Sequence, residues 1–510
     1  MAYPANLPPQ LDPASPVLRQ LRSHLWESGY FKAGISATVE NDTPAIPLEV
    51  PSGSPLHTLL RHFHGMEPVP TELLQKALGS LTLEQLLSTG FCRLADSQVF
   101  PQILLQPHAD YLFAVGQLTL PWRPEDVVMR ISSTSLELAQ LINPRHARNA
   151  LDLGTGCGFL ATLLSAHADR VYALDLNPTA VQFANFNARW NSLTNITCLQ
   201  GNLFEPVREL RFDLIVCNPP FFICPVPDSS ANRILFQHSG QPGDSFCIQI
   251  ARTASSFLEE GGFFHMMFSW IQTEGQDWRT RLATTFSRIG CDAWCLRAYE
   301  DSPEDYVSSW CSELPEVQDT NVDALRSQGL AYFQERKIAA IGTGFLTLRR
   351  CTSRPNHLWF DDAPEDRSEP YGSSIAALFD LRAKFDDAPD ELLLQQKFAV
   401  SPDIAMIQKS GRKGRHWNVV AAEFCRNAGL KYTFSGVDPL LSEIVTRLDG
   451  RSSLRAILAR ISRERHLQPS RVIATHLPHM RELLRYGFII PKSIGHVASR
   501  SHNSAHPFSK

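Results

Sequence analysis

Residues 151–159 read LDLGTGCGF. A short apolar run with the length of a buried strand gives way to glycine at Gly154, Gly156 and Gly158. Glycines at that point let the backbone take positive φ and come close to a ligand. The helical pattern that follows, CGFLATLLSAH, directs its unsatisfied N-terminal amides at the same place. A dinucleotide fingerprint would read GxGxxG, whereas this turn is GxGxG, one residue shorter. Alone, such a turn is common in loops, so its surroundings decide the reading.

Working outward from it, NALDLG, RVYALD, NITCLQG, DLIVCN, GFFHMMF, CDAWCLRAY and GTGFLTLRR are strand candidates within residues 116–352, with helical patterns between most of them. This alternation predicts an α/β fold: an open, mainly parallel, Rossmann-like sheet of seven strands with helices on both faces. Ligands on such sheets bind beyond the carboxyl ends of the strands, at the switch in strand order. Asp175 closes the second strand, where a carboxylate can accept both hydroxyls of a ribose, although an aspartate there also serves as a helix N-cap. Asn202 follows the third strand and could hydrogen-bond an adenine edge. Together these positions describe a pocket for an adenosine that carries something other than a diphosphate. The fourth strand ends in VCNPPFF, residues 216–222.

The order of these motifs resembles the class I S-adenosylmethionine-dependent methyltransferases. LDLGTGCG is similar to their first motif, ALDLNP to the second, GNLFEP to the third, and VCNPPFF to the NPPF/Y amino-methyltransferase signature of the small-methyltransferase type. The resemblance implies S-adenosyl-L-methionine as cofactor. It places Asp152 and the turn Gly154, Thr155, Gly156 and Gly158 at the methionine part, Asp175 at the ribose, Asn202 at the adenine and Asn218 beside the transferred methyl, with Leu176 and Leu203 as further cofactor-binding residues. The third motif more often carries Asp where this chain has Asn202. SSTSLELAQL, by analogy with relatives, is a short helix over the cofactor's open side, with Ser133 and Thr134 as contact candidates. AYEDSPEDYVSSW is typical of a bacterial family with poorly characterised flanking modules.

An amide nitrogen or an exocyclic base amine holds its lone pair in conjugation, so a clamp must grip it by its hydrogens. Asn218 can accept one N–H through its side-chain oxygen, and a carbonyl within the rigid Pro219-Pro220 turn can accept another; fixed acceptors of this kind lower a barrier by positioning and preorganisation. Phe221 is expected to stack on a planar substrate, and Phe222 to pack in the core. Asn218 could also form a plain Asx-turn before the prolines.

The rest of the chain supplies context. Residues 1–15 read as a disordered leader, not a signal peptide, and no apolar run is long enough for a membrane helix, so the cytoplasm is the expected compartment. Eleven scattered cysteines with no CxxC pair argue against a disulfide framework and a zinc site. Residues 16–115 contain PTELLQKALGS and TLEQLLSTGF followed by strand patterns, the order of a winged-helix-like module; its second helix lacks Lys and Arg, which favours a structural or substrate-shaping role. Residues 353–400 read as an acidic linker with a docked helix, 401–495 as a basic winged-helix-like module of three helices and a small hairpin, and 496–510 as a frayed tail. Residues 401–510 hold 18 Lys and Arg against 7 Asp and Glu, while the remaining chain holds 30 against 45. That asymmetry suggests an anionic partner, or else an arginine-rich solvated surface. In QKSGRKGRHW, Lys409, Arg412, Lys413 and Arg415 lie in a glycine-spaced, flexible run before Trp417, and are candidates for phosphate contact. The acceptor expected is a base in RNA, rRNA or tRNA; a glutamine amide of a translation factor and a non-catalytic, cofactor-binding RNA adaptor are the alternatives. No metal is expected.

Overall fold

The computed structural model describes residues 11–32, 50–116, 128–223, 241–313, 322–413 and 416–492. The chain divides into two compact units, Met1–Ala363 and Pro364–Lys510.

The first unit is built on a sheet of eight strands: β1 (Ala147–Leu153), β2 (Ala168–Asp175), β3 (Ile196–Gln200), β4 (Phe212–Cys217), β5 (Leu258–Thr273), β6 (Cys291–Asp301), β7 (Ile338–Arg350) and β8 (Leu358–Asp362). Their order is β3-β2-β1-β4-β5-β7-β6-β8. β7 runs antiparallel to both neighbours, and the other pairings are parallel. The strand order reverses between β1 and β4, so the switch point falls where the glycine turn and the NPPFF stretch emerge. All seven strand patterns are present. The eighth strand corrects the expected count: LWFDD, read as the start of a linker, pairs in parallel with β6 from Ala293↔Leu358 to Arg297↔Asp362. Five residues with few β-branched positions carry little strand signal by themselves; the waiting edge of β6 makes the strand.

Connecting helices are α1 (Ser133–Ala139), α2 (Phe159–Ser165), α3 (Pro178–Trp190), α4 (Ser245–Ala254), α5 (Trp278–Phe286), α6 (Pro303–Glu313) and α7 (Val322–Glu335). Their starts are legible in sequence. Ser132, Asn177 and Asp277 each accept a first-turn backbone N–H as N-caps of α1, α3 and α5, as short polar side chains do. One face of the sheet buries Leu151, Leu153, Ile215, Cys217, Phe264, Met266 and Trp270 among the core residues. A smaller core joins α6 and α7 to the sheet through Tyr306, Val307, Phe333 and Ile341.

Before the sheet, helices Thr71–Ala77 and Leu83–Ser88 lead into strands Cys92–Ala95 and Gln98–Pro101, and Val69–Pro70 completes a small sheet with the latter. Next comes the hairpin Ile103–His108 and Tyr111–Gly116. α3 seals the open edge of that hairpin with two asparagines one turn apart. Asn191 Oδ1 accepts Leu112 N–H at 3.0 Å while its Nδ2 donates to Leu112 O at 2.8 Å; Asn187 does the same for Ala114, at 2.9 Å for each bond. Four residues along a helix advance about 6 Å and two along a strand about 6.8 Å, so the side-chain amides act as a substitute strand. Asn187 Nδ2 donates once more, to Cys157 O at 2.8 Å, and so fastens the glycine turn to the N-terminal hairpin.

The second unit departs from the expected order. Its helices Gly372–Phe385, Asp390–Gln395, Pro439–Thr446, Leu454–Glu464 and Pro469–Arg485 do not end in a hairpin; the closing strand Ile489–Pro491 pairs with Phe398–Val400, far earlier in the chain. The docked helix expected in the linker, Gly372–Phe385, is a core helix here, with Ile375, Phe379 and Arg382 fully buried. Residues 408–413 and 416–417 of QKSGRKGRHW lie in an antiparallel ribbon, Ile404–Lys413 with His416–Arg426, in whose register Arg412 pairs with Trp417 and Lys413 with His416. The flanking IAMI and WNVVAAEF patterns carry β preference that outweighs the glycines between them.

Asn187→Ala leaves three buried backbone groups without partners. It is expected to destabilise the protein by about 2–4 kcal/mol, more than Asn191→Ala, as read by urea denaturation.

Candidate functional site

Parallel register brings the strand ends together. Leu153 pairs with Cys217 and with Leu174, and Asp175 with Gln200, so the residues that follow β1, β2, β3 and β4 line one edge. A Cβ added to Gly154 would lie 3.9 Å from Asn218 O, which makes the glycine turn and the NPPFF stretch immediate neighbours. Gly154, Gly156 and Gly158 all take positive φ, at 79°, 54° and 85°. At Gly158 a Cβ would come within 3.0 Å of Ala184 Cα, so glycine there also permits close packing of α3. Gly154 N–H and Thr155 N–H both donate to Leu174 O at 2.8 Å, tying the turn to β2.

Two carboxylates shape the cleft. Asp152 is fully buried; its Oδ2 accepts Thr155 Oγ1–H at 2.6 Å and Ala161 N–H at 2.9 Å, while Oδ1 is buried with no hydrogen-bond partner. Burial, chiefly, pushes its pKa up to about 7; its two hydrogen bonds oppose the shift and the nearby Asp175 charge adds to it. Asp175 accepts Gly156 N–H through Oδ2 and Asn177 N–H through Oδ1, both at 2.9 Å, and burial raises its pKa as well. Each oxygen of Asp175 keeps acceptor capacity, as a ribose diol requires. An acidic, desolvated pair beside glycine amides suits a ligand that is cationic at one end and hydroxylated at the other. Leu176 is exposed, as is Asn202, and Leu203 takes φ 48° and packs against the core. Asn202 therefore stands open at the rim beside an apolar wall.

At the end of β4, Asn218 Nδ2 donates to Ser135 Oγ at 3.1 Å and Thr134 Oγ1 at 3.3 Å. Its Oδ1 is buried and without a protein partner. Pro219 is buried, and Pro220 is half-buried. The rings of Phe221 and Phe222 stack at 5.3 Å and 20°; Phe221 packs against the main core and Phe222 against the smaller one. Ile223 N–H then donates to the hydroxyl of Tyr306 on α6 at 3.0 Å, anchoring the stretch beyond the phenylalanines. Cys217 is buried and its thiol is raised well above the usual range by that burial, which suits a core role; Cys224 lies outside the described residues.

Thr134, a candidate for contact with the cofactor, accepts from Asn218 Nδ2. The sequence alone does not mark Ser135 or Tyr306 as site residues. Ser132-x-x-Ser135 has the spacing of an N-cap and its partner, a local signal that says nothing about Asn218, which is 83 positions away. Tyr306 sits in AYEDSPEDYVSSW, a stretch whose local pattern carries no sign of a contact with residue 223. In the second unit Lys409 and Arg412 are exposed on the ribbon. Lys413 and Trp417 belong to its strands, and Arg415 lies outside the described residues. Among the described residues no cluster of potential ligands could hold a metal ion, and no helix is long and apolar enough to cross a membrane.

Residues 129–241 match the family model of the methyltransferase small domain, in keeping with the motif resemblance. The tRNA1(Val) (adenine(37)-N6)-methyltransferase of Actinobacillus pleuropneumoniae is 32% identical over 138 residues, 26% of this chain and 57% of that protein. The release factor glutamine methyltransferase of Aliivibrio fischeri is 32% identical over 137 residues, 25% and 48% respectively, and that of Moorella thermoacetica 39% over 129 residues, 24% and 44%. The chain thus spans about half the length of the curated relatives it matches. Among solved structures, the tRNA m1G37 methyltransferase of M. jannaschii aligns at 14% identity with a TM-score of 0.28, covering 49% of this chain and 57% of that one.

In the folded protein Asp152 keeps its proton up to about pH 7, whereas unfolding returns it to its ordinary value of 3.8. Its contribution to stability is therefore complete below about pH 4 and is lost as pH rises to about 7. Asp152→Asn removes this loss: melts without added cofactor should show the variant gaining on wild type between those pH values, and parallel profiles would refute it.

Proposed function

We propose that the protein is an S-adenosylmethionine-dependent N-methyltransferase whose acceptor is an amino nitrogen of a base in RNA. The observation that carries this reading is Asn218 Oδ1, a buried acceptor with no protein partner, standing beside the glycine turn at the switch point of the sheet. The cofactor supplies a methyl group already activated as a sulfonium, so the chain needs no strong general acid. Asp152 and the turn from Gly154 to Gly158 hold its methionine part, with the free Oδ1 of Asp152 suited to an ammonium. Asp175 holds the ribose, and Asn202, Leu176 and Leu203 border the adenine.

The work left to the chain is to hold the attacking nitrogen. Asn218 Oδ1 accepts one of its hydrogens, and a carbonyl of the Pro219-Pro220 turn accepts another. That draws density away from the N–H bonds and turns the lone pair toward the methyl. When bound, the sulfonium would supply the methyl and keep the C–S electron pair as a thioether, while the nitrogen, held by Asn218 and the Pro219-Pro220 carbonyl, would release its extra proton to water. Phe221, stacked on Phe222, offers the planar surface against which an unpaired base would lie.

RNA is preferred because the basic residues are concentrated in the second unit, where the ribbon exposes Lys409 and Arg412, and phosphate neutralisation dominates RNA affinity. The N-terminal module shapes the substrate cleft. A glutamine amide in a release factor is the second reading, supported by relatives bearing that name, since an amide needs the same clamp.

Methyl-tritiated cofactor separates the two readings. Given RNA from cells lacking the gene and, separately, an unmodified release factor, the protein is expected to label nuclease-sensitive material; protease-sensitive label would select glutamine. Asn218→Ala should lower the rate about 10²–10³-fold with little change in cofactor affinity. Neutralising Lys409, Arg412, Lys413 and Arg415 together should weaken RNA binding and reduce its salt slope by about 0.7–0.9 per lost phosphate contact. An unchanged slope would remove the ribbon from the interface.

A further inference from the structure

An asparagine side chain is an acceptor at one end and a double donor at the other, and only its oxygen can hold an amine by the hydrogens. Nothing in the end of a strand decides which end faces the cleft. Here the decision comes from the first turn of α1. Nδ2 of Asn218 has hydrogens and no available lone pair, so Ser135 Oγ at 3.1 Å and Thr134 Oγ1 at 3.3 Å both act as acceptors. Ser132 Oγ lies 2.9 Å from Thr134 Oγ1 and 3.1 Å from Ser135 Oγ and, with one of its two lone pairs given to a backbone N–H, has room for one of their hydrogens. Ser132 is the N-cap of α1 and is committed as an acceptor, taking Ser135 N–H at 3.2 Å. Ser132 and Ser135 are both buried.

We propose that Thr134 and Ser135 are positioning residues that set the orientation of the Asn218 amide and so present Oδ1 to the substrate amine. The proposal rests on the reading of Asn218 as the amine acceptor. Turned the other way, the amide would leave two buried donors without partners, and orphaned N–H groups are tolerated less well than an under-used oxygen. The hydroxyl pair therefore keeps the useful orientation populated before substrate arrives, which is the meaning of preorganisation in this site. The chain of bonds runs from the helix cap through two hydroxyls to the reacting group, and the cap that starts α1 thus also selects the chemistry at the end of β4.

The test uses the full-length protein, with RNA from cells lacking the gene as acceptor, and the variants Thr134→Val, Ser135→Ala and their combination. The combined variant is expected to lose about 10- to 100-fold in kcat, with the KM for S-adenosylmethionine within about twofold of wild type. Thr134→Ser should restore the rate in the Thr134→Val position. Added to Asn218→Ala, the same pair should cost nothing further, because its effect passes through the amide that is already gone; a further loss in that background would mean a merely structural role and overturn the proposal. So would a combined variant with wild-type kcat. A second readout is independent of activity. With asparagine labelled with nitrogen-15 and the Asn218 side-chain signal assigned by its disappearance in Asn218→Asp, the Nδ2 protons should exchange slowly in wild type and faster in the combined variant. Unchanged exchange refutes the proposal. A wild-type protein that labels neither RNA nor release factor, yet shows this exchange difference, would defeat the methylation reading while leaving the amide orientation intact.

Discussion

The parallel pairing of β1 with β4 is the constraint on which the rest of the first unit depends. Leu153 opposite Cys217 puts a glycine turn and an asparagine at adjacent strand ends. Every other site residue takes its place from that pairing: β2 lies next to β1 and brings Asp175, and β3 lies beyond it and brings Asn202. A slip of one residue would exchange the two faces of the strand, forcing Ile215 and Cys217 into the packing that Leu214 and Val216 now fill on the other face. The apolar cost of such a slip is what keeps the site in register.

On top of this apolar frame lies a second layer of polar fastenings, and asparagine does much of the fastening. Asn187 and Asn191 complete the edge of a hairpin as a strand would, and Asn187 also reaches the glycine turn. Asn218 is fastened by its nitrogen and left open at its oxygen. The difference lies in satisfaction. An asparagine whose donors and acceptor are all occupied is a structural cement, and one with a buried, idle acceptor is prepared for a ligand. The same contrast separates the two oxygens of Asp152, one held by Thr155 and Ala161 and the other free of protein partners.

Much of this was legible beforehand because it is local. Glycine alternation, strand patterns, caps and the NPPFF signature each occupy a few consecutive residues, and their order along the chain maps onto strand ends in an α/β sheet. The elements that escaped depend on what stands opposite them. LWFDD becomes a strand only because β6 offers an edge. QKSGRKGRHW looks like a loop until IAMI and WNVVAAEF are set against each other in a ribbon. The closing strand of the second unit seeks Phe398–Val400 instead of an adjacent partner, and no local pattern announces a pairing of that span.

The amino-acid sequence by itself determined the kind of site: a glycine turn, two strand-end carboxylates and an amide before two prolines are chemical identities, and identity is carried by single residues. Tertiary structure alone decided how those groups are turned. Which end of Asn218 faces the cleft and whether Tyr306 steadies the stretch after the phenylalanines depend on hydrogen bonds between residues 83 positions apart. Such bonds are directional and short in range, so they exist only once packing has brought their partners within about 3 Å.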